Sequence, residues 1–286
     1  MKILVLGASG MLGHVVSTYF AEREHDVVTT STSEGGPNYY DAYKNVYGIE
    51  EIIAEQKPEV VINCIGILNQ VAENNHALAS LLNGFLPNYL DSLSEEYGFK
   101  LVHITTDCVF SGKRGDYTKN DFPDAETYYG LSKALGEVNN NRTLTLRTSI
   151  VGPDQNPKGI GLFQWFTNQT GEIKGYTKVI WTGVSTLQFA KCIEKGLEAG
   201  LTGLHHAVNG EKISKYDLLK LFAKYFNADA KIVPDDSKKS DKSLVKSDDE
   251  FGLQIPSYEK MVEDMYEWVL AHPKMYPDLI GKVAKK

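Results

Sequence analysis

Apolar residues in the first half of the chain come in short β-branched runs, separated by longer stretches where they recur every three or four positions. Ile3–Leu6, Val27–Thr30, Val60–Asn63, Leu101–Thr106 and Thr143–Arg147 read as strands. Runs apolar on both faces belong inside a parallel sheet covered on both sides. Between them the helical period predicts helices from the first glycine turn to about Glu22, over Ile49–Gln56, around Ala77–Asn83, over Pro87–Tyr97 and over Tyr128–Asn139.

After Val151 the pattern loosens. Gly152-Pro153 and Asn156-Pro157 mark a loop, followed by a predicted helix near Ile160–Thr170. Thr186–Ala199 reads as a helix, Gly203–Val208 as a strand, Lys215–Asn227 as a helix and Tyr258–Leu270 as the last helix. The lysine-rich stretch Asp235–Glu250 reads as a surface loop. The expectation is an α/β fold: a Rossmann-type doubly wound parallel sheet over residues 1–150 and a smaller α/β substrate-binding domain over 151–286. Residues 181–208 are expected to return to the first domain.

Composition narrows the function classes. The balance of 30 basic against 37 acidic residues gives a net charge of −7, which offers no general footprint for nucleic acid or an anionic membrane surface. The three cysteines, Cys64, Cys108 and Cys192, are widely spaced with no CxxC pair, which points to a reducing compartment. Only five apolar residues precede the first glycine, and no apolar run reaches the roughly 18 residues of a membrane span. The expected setting is cytoplasmic, with no membrane and no nucleic-acid partner; a homodimer is left open. His205-His206 does not read as a metal pair, because neighbours in a strand face opposite ways.

Candidate chemistry begins at the first turn. Gly7, Gly10 and Gly13 stand three apart between the first strand and first helix, with Ser9, Met11 and Leu12 between them. Such a turn brings backbone N–H groups and a helix N-terminus up to a pyrophosphate, where a side chain would block approach. The cofactor is expected to be a nicotinamide dinucleotide. The second strand ends in Thr30 with no carboxylate, which tilts the choice to NADP(H) over NAD(H); Asp41 is a candidate for the adenine side.

Tyr129 and Lys133 are four apart and share one helical face. Tyr40/Lys44 and Tyr216/Lys220 have the same spacing, but only the middle pair follows a strand ending in hydroxyls, at Thr105-Thr106-Asp107. A phenol with a pKa near 10 is a poor proton shuttle at neutral pH. A lysine ammonium at ~4 Å would favour the phenolate by about 4 kcal/mol at an effective dielectric of ~20, or ~3 pK units. Thr106 would hold the carbonyl oxygen of a substrate.

GASGMLG, NCIG at 63–66, LLN at 81–83, TTDCVF at 105–110, YYGLSKALGE at 128–137 and LRTSIVG at 146–152 together resemble the extended short-chain dehydrogenases, and within them the dTDP-4-dehydrorhamnose reductases. The resemblance runs through about the first 150 residues and thins beyond. It implies a triad of Thr106, Tyr129 and Lys133. It also implies that Met11, Leu12, Gly13, Cys64, Ile65 and Gly66 line the dinucleotide, and that Thr106 and Asp107 touch the sugar. The implied activity is NAD(P)H-dependent reduction of the 4-keto group of a nucleotide-linked 4-keto-6-deoxysugar.

The chain departs from that pattern at the sugar. Cys108 stands where the family has an aromatic residue, and Ile150 where it has a tryptophan. Trp181 opens a segment that takes the place of the family's substrate loop, and Lys242 stands roughly where relatives carry an arginine for the nucleotide diphosphate. Two alternatives remain beside the reductase. One is an epimerase–reductase using Cys108, for which no histidine between His103 and His205 supplies the second acid. The other is a catalytically idle NADP-binding regulatory subunit.

Overall fold

The computed structural model describes residues 1–226, 229–246 and 255–283. Its first sheet has six parallel strands: β1 (Lys2–Leu6), β2 (Asp26–Thr29), β3 (Val60–Asn63), β4 (Lys100–Thr106), β5 (Leu144–Thr148) and the later Gly203–His206, in the order β2-β1-β3-β4-β5 followed by Gly203–His206. Successive side chains of β1 enter opposite cores. Ile3 and Val5 join the cluster containing Val15, Phe20 and Phe189, while Leu4 and Leu6 join the one containing Ile53, Leu86 and Leu90. That two-sided burial is why the strands read as unbroken apolar runs. The parallel α/β sheet expected from the sequence is present, and its helices are α1 (Gly13–Ala21), α2 (Ile49–Gln56), α3 (Asn69–Asn74), α4 (His76–Ala79), α5 (Leu86–Tyr97) and α6 (Tyr128–Leu135).

Two helical boundaries differ from expectation for identifiable reasons. Residues Ser80–Phe85, between α4 and α5, form a π-helical turn that joins the two predicted helices into one run and turns Asn83 inward. Helix α6 stops at Leu135 rather than Asn139, and Gly136 just beyond it lies so close to the Asn83 carbonyl that a Cβ there would be 1.9 Å from its oxygen.

The second half departs further. Beyond β6 (Ile150–Val151), α7 covers only Leu162–Thr167, and the long strand β7 (Thr170–Trp181) follows. After β8 (Val184–Ser185), α8 (Thr186–Glu198) leads into Gly203–His206, here β9, which pairs in parallel with β5. The chain then leaves again through β10 (Ile213–Ser214), α9 (Lys215–Tyr225) and β11 (Asp229–Asp241), and closes with α10 (Tyr258–Ala271) and α11 (Pro277–Ile280).

Strand β7 is the centre of a three-stranded sheet, β10-β7-β11, with β11 parallel to it and bulged between Asp235 and Lys239. The expected surface loop from Asp235 is therefore a strand as far as Asp241; residues 247–250 of that expectation, and Asn227 at the end of the predicted helix, lie outside the described residues. Its charged residues and Pro234 are what an edge strand tolerates, and they hide it in the sequence.

Candidate active site

The strand order reverses about β1 and β3, and a crevice opens at the carboxyl ends of such strands. A cavity of about 410 Å³ occupies it. The turn after β1 forms one wall. Gly7 has φ of 73°, and a Cβ on it would lie 3.1 Å from the backbone of Cys64 and Ile65. A Cβ on Gly13 would lie 2.1 Å from the Gly7 carbonyl oxygen. Side chains would fill this cradle, so its shape fits the close backbone approach that a pyrophosphate requires.

Gly10, Met11, Leu12, Cys64, Ile65 and Gly66 line the cavity on this side. A second hollow of about 130 Å³ is bounded by Gly7, Ser9, Thr30, Ser31, Thr32 and Asp41, and shares Ile65 with the first. The residues proposed for the two ends of a dinucleotide thus line two adjoining hollows. The Asp41 carboxylate accepts the backbone N–H of Tyr43 at 3.1 Å. Burial pushes the Cys64 thiol up to about 12.

Thr106 ends β4, and Tyr129 and Lys133 occupy one face of α6; all three line the cavity. Tyr129 is 8% exposed, and burial raises its phenol well above the ordinary tyrosine value. The Thr106 hydroxyl lies within hydrogen-bonding reach of the phenol. Lys133 Nζ donates to the Ile104 carbonyl at 2.7 Å, and burial holds the ammonium down to about 8. Thr106 Oγ1 donates its proton to Asp107 Oδ1 at 3.1 Å and accepts the Cys108 N–H at 3.2 Å.

Helix α6 is pinned at its start by groups the sequence did not reveal. The Thr127 hydroxyl accepts the Gly130 N–H, and the Glu73 carboxylate accepts those of Tyr128 and Tyr129. His76 stacks on Tyr128 at 3.8 Å, and Ser80 hydrogen-bonds its hydroxyl at 2.6 Å. Asn83 is fully buried; it bonds both backbone groups of Ile67 and donates to Ser132 Oγ, tying α6 to the segment after β3.

Asp107, Cys108 and Ile150 also line the cavity. Burial pushes the Cys108 thiol up to about 11, against the charge and hydrogen bond of Lys242, which stands beside it. Trp181 is 3% exposed and sits behind the cavity in the core, its ring 5.6 Å from that of Tyr258. From the second half Asp154, Ile160, Gly161, Leu162 and Lys215 line the cavity, and the Lys215 ammonium lies 5.3 Å above the Trp181 ring. Nothing in its own stretch of sequence marks it, since every group it faces comes from elsewhere in the chain.

A family model described as RmlD substrate binding domain matches residues 1–269. The chain is 29% identical over 247 residues to a probable dTDP-4,6-dihydroxy-2-methyloxan-3-one 4-ketoreductase of Streptomyces antibioticus, covering 80% of this chain and 78% of that protein. It is 25% identical over 242 residues to methionine adenosyltransferase 2 subunit beta of Xenopus tropicalis, covering 79% and 72%. A solved dTDP-4-dehydrorhamnose reductase from Clostridium acetobutylicum superposes with a TM-score of 0.80 at 23% identity, over 94% of this chain and all of that one.

Proposed function

The chain belongs to the RmlD substrate binding domain family, and from that membership we propose that it is an NAD(P)H-dependent reductase of the 4-keto group of a nucleotide-linked 4-keto-6-deoxysugar, working in deoxysugar or cell-surface polysaccharide biosynthesis. The observation that carries this reading is the convergence of Thr106, Tyr129 and Lys133 on one cavity with the glycine cradle.

A dinucleotide held against Gly7–Gly13 and Cys64–Gly66 would supply the hydride. The protein's part is to hold the carbonyl and deliver a proton. Tyr129, kept in its protonated form by burial, is the proton donor to the 4-oxygen, and Thr106 orients that oxygen by hydrogen bonding. Lys133, held near 8, is still mostly charged at neutral pH and places positive potential beneath the reacting groups. Asp107, Cys108 and Ile150 would contact the sugar. NADP(H) is the proposed preference over NAD(H): Thr30, Ser31 and Thr32 offer hydroxyls in the smaller hollow, and the Asp41 carboxylate is engaged by the Tyr43 amide.

The test is oxidation of NADPH and of NADH with dTDP-, UDP-, GDP- and CDP-linked 4-keto-6-deoxysugars, followed at 340 nm. Turnover of at least one, abolished in Tyr129→Phe, supports the reading. A chain that binds NADPH but turns over none of the panel would be a binding subunit instead.

A further inference from the structure

Lys133 and Glu137 are gripped by adjacent residues of β4. Lys133 Nζ donates to the Ile104 carbonyl at 2.7 Å, and the Thr105 hydroxyl donates to Glu137 Oε1 at 3.0 Å. The two residues stand one helical turn apart, and the Glu137 N–H still donates to the Ala134 carbonyl at 3.2 Å. The run through α6 is therefore stapled twice to the strand that ends in Thr106. Arg147 of β5 holds both carboxylate oxygens of Glu137: Nε donates to Oε1 at 2.8 Å and Nη2 to Oε2 at 2.5 Å. The two side chains are 2% and 9% exposed, and the guanidinium also covers the Phe110 ring at 4.9 Å.

A buried ion pair carries a large desolvation cost and often adds no net stability. Its place behind Lys133 gives this one a use in the site. Lys133 faces Glu137 from its own run of chain, Cys64 from just after β3 and His103 from β4. Cys64 is neutral, since burial pushes its thiol up to about 12. His103 is neutral as well. Asn63 Oδ1 accepts the Ile65 N–H, which leaves Asn63 Nδ2 to donate to His103 Nδ1 at 3.3 Å. Burial, with the charge of Lys133, holds the His103 pKa well below 6.5. Glu137 is thus foremost in opposing the burial that holds the Lys133 ammonium down to about 8.

We infer that Glu137, locked by Thr105 and Arg147, is a positioning residue of the proton-delivery site, fixing Lys133 against β4 near Thr106 and supplying the countercharge of its ammonium. The inference rests on the reductase reading for the reaction that is served, and on the two staples for the link between Glu137 and Lys133.

Two measurements on the full-length protein test it. Acetylation of Lys133 by acetic anhydride, followed against pH by peptide mass spectrometry, reads the ammonium with no substrate present. Its midpoint, near 8 in the wild type, should fall by about one unit in Glu137→Gln. The double variant Glu137→Gln with Arg147→Met leaves no unpaired buried ion, and should move the midpoint the same way if the single variant does not fold. NADPH oxidation with a 4-ketosugar is the second readout. Wild-type and variant rates should be nearly equal at about pH 6 and about ninefold apart at about pH 9, because the variant's lysine loses its charge one unit earlier. An unmoved midpoint in a folded variant would overturn the inference, and so would a rate ratio that is the same at every pH. Loss of fold in both variants would make the pair purely structural and overturn it too. If no 4-ketosugar is turned over but the midpoint moves, the reductase reading fails while the coupling of Glu137 to Lys133 stands.

Discussion

Glu73 and Tyr129 meet through the backbone of α6: Glu73 Oε1 accepts the Tyr129 N–H at 3.0 Å, and Oε2 accepts that of Tyr128 at 3.2 Å. The first N–H groups of a helix have no partner within it, and a carboxylate there also meets the positive end of the helix dipole. Glu73 therefore sets where α6 begins, and with it the height of Tyr129 above Thr106. Glu73→Ala is expected to lower kcat by about ten- to a hundredfold through misplacement of the phenol. Glu73→Gln, which keeps one acceptor oxygen, should restore part of it. Equal kcat in all three forms, with intact thermal unfolding, would remove Glu73 from this role.

Tyr129→Phe keeps the ring and removes the proton. Turnover should fall by about 10²–10⁴ while NADPH still binds, since the glycine cradle is untouched. Fluorescence titration beside the rate assay separates the two effects; parallel loss of cofactor binding would count against Tyr129 as proton donor.

His206 predicts an acid limit to stability. Its Nε2 faces Arg147 Nη1 at 3.0 Å and its Nδ1 faces the Val245 carbonyl at 2.8 Å. A guanidinium only donates and a carbonyl only accepts, so the ring is the neutral Nδ1–H tautomer. Burial, with Arg147's charge, holds its pKa down to about 4, from 6.5 in the unfolded chain. A depressed pKa gives stability that is complete above pH 6.5 and lost as pH falls through about 4. The linkage is worth about 3 kcal/mol over that window. Denaturant unfolding from pH 7 to 4 should show the loss, and His206→Gln should flatten it; an unchanged slope in the variant would refute the assignment.

A buried relay connects the last helices to the glycine turn after β1. Trp268 Nε1 donates to Tyr276 Oη at 2.9 Å, Tyr276 Oη donates to His14 Nε2 at 2.8 Å, and His14 Nδ1 donates to the Gly10 carbonyl at 2.9 Å. Tyr276→Phe breaks the middle of it and leaves the His14 acceptor and the Trp268 donor unsatisfied. Dinucleotide affinity should weaken about three- to tenfold, because the Gly10 turn loses its strut, with little change in kcat. Titration with NADPH tests this; an unchanged affinity in a folded variant would show that the turn holds its shape unaided.

The sequence made the first half legible because its strands are buried on both faces and its chemistry lies in local patterns: glycines three apart, Tyr129 and Lys133 one turn apart, Thr106 at a strand end. β7 and β11 escaped notice because they form a sheet exposed on one face, where lysines and aspartates are tolerated and no clean apolar run survives. Glu73 and Lys215 escaped for a different reason. Each acts on groups far away in sequence, Tyr129 in one case and the Asp107–Cys108 turn in the other. Trp181 illustrates the reverse error: an aromatic at a plausible substrate position is core, and serves as the seat for Lys215. The spacing of Tyr129 and Lys133 fixes a shared helical face but not the partner of the ammonium, which is the Ile104 carbonyl.

The path of β9 also decides how this protein can be re-engineered. The chain quits the first sheet after β5 and returns with α8 to lay β9 against it, before leaving a second time. Cutting the chain after residue 150 would strip an edge from the first sheet in one fragment and expose the core face of α8 in the other, so neither half is expected to survive alone. Chimeras that exchange sugar preference with a relative need paired junctions: one pair between Val151 and Val184, another beyond Val208. Single-crossover hybrids should come out insoluble, however well their separate parts are matched.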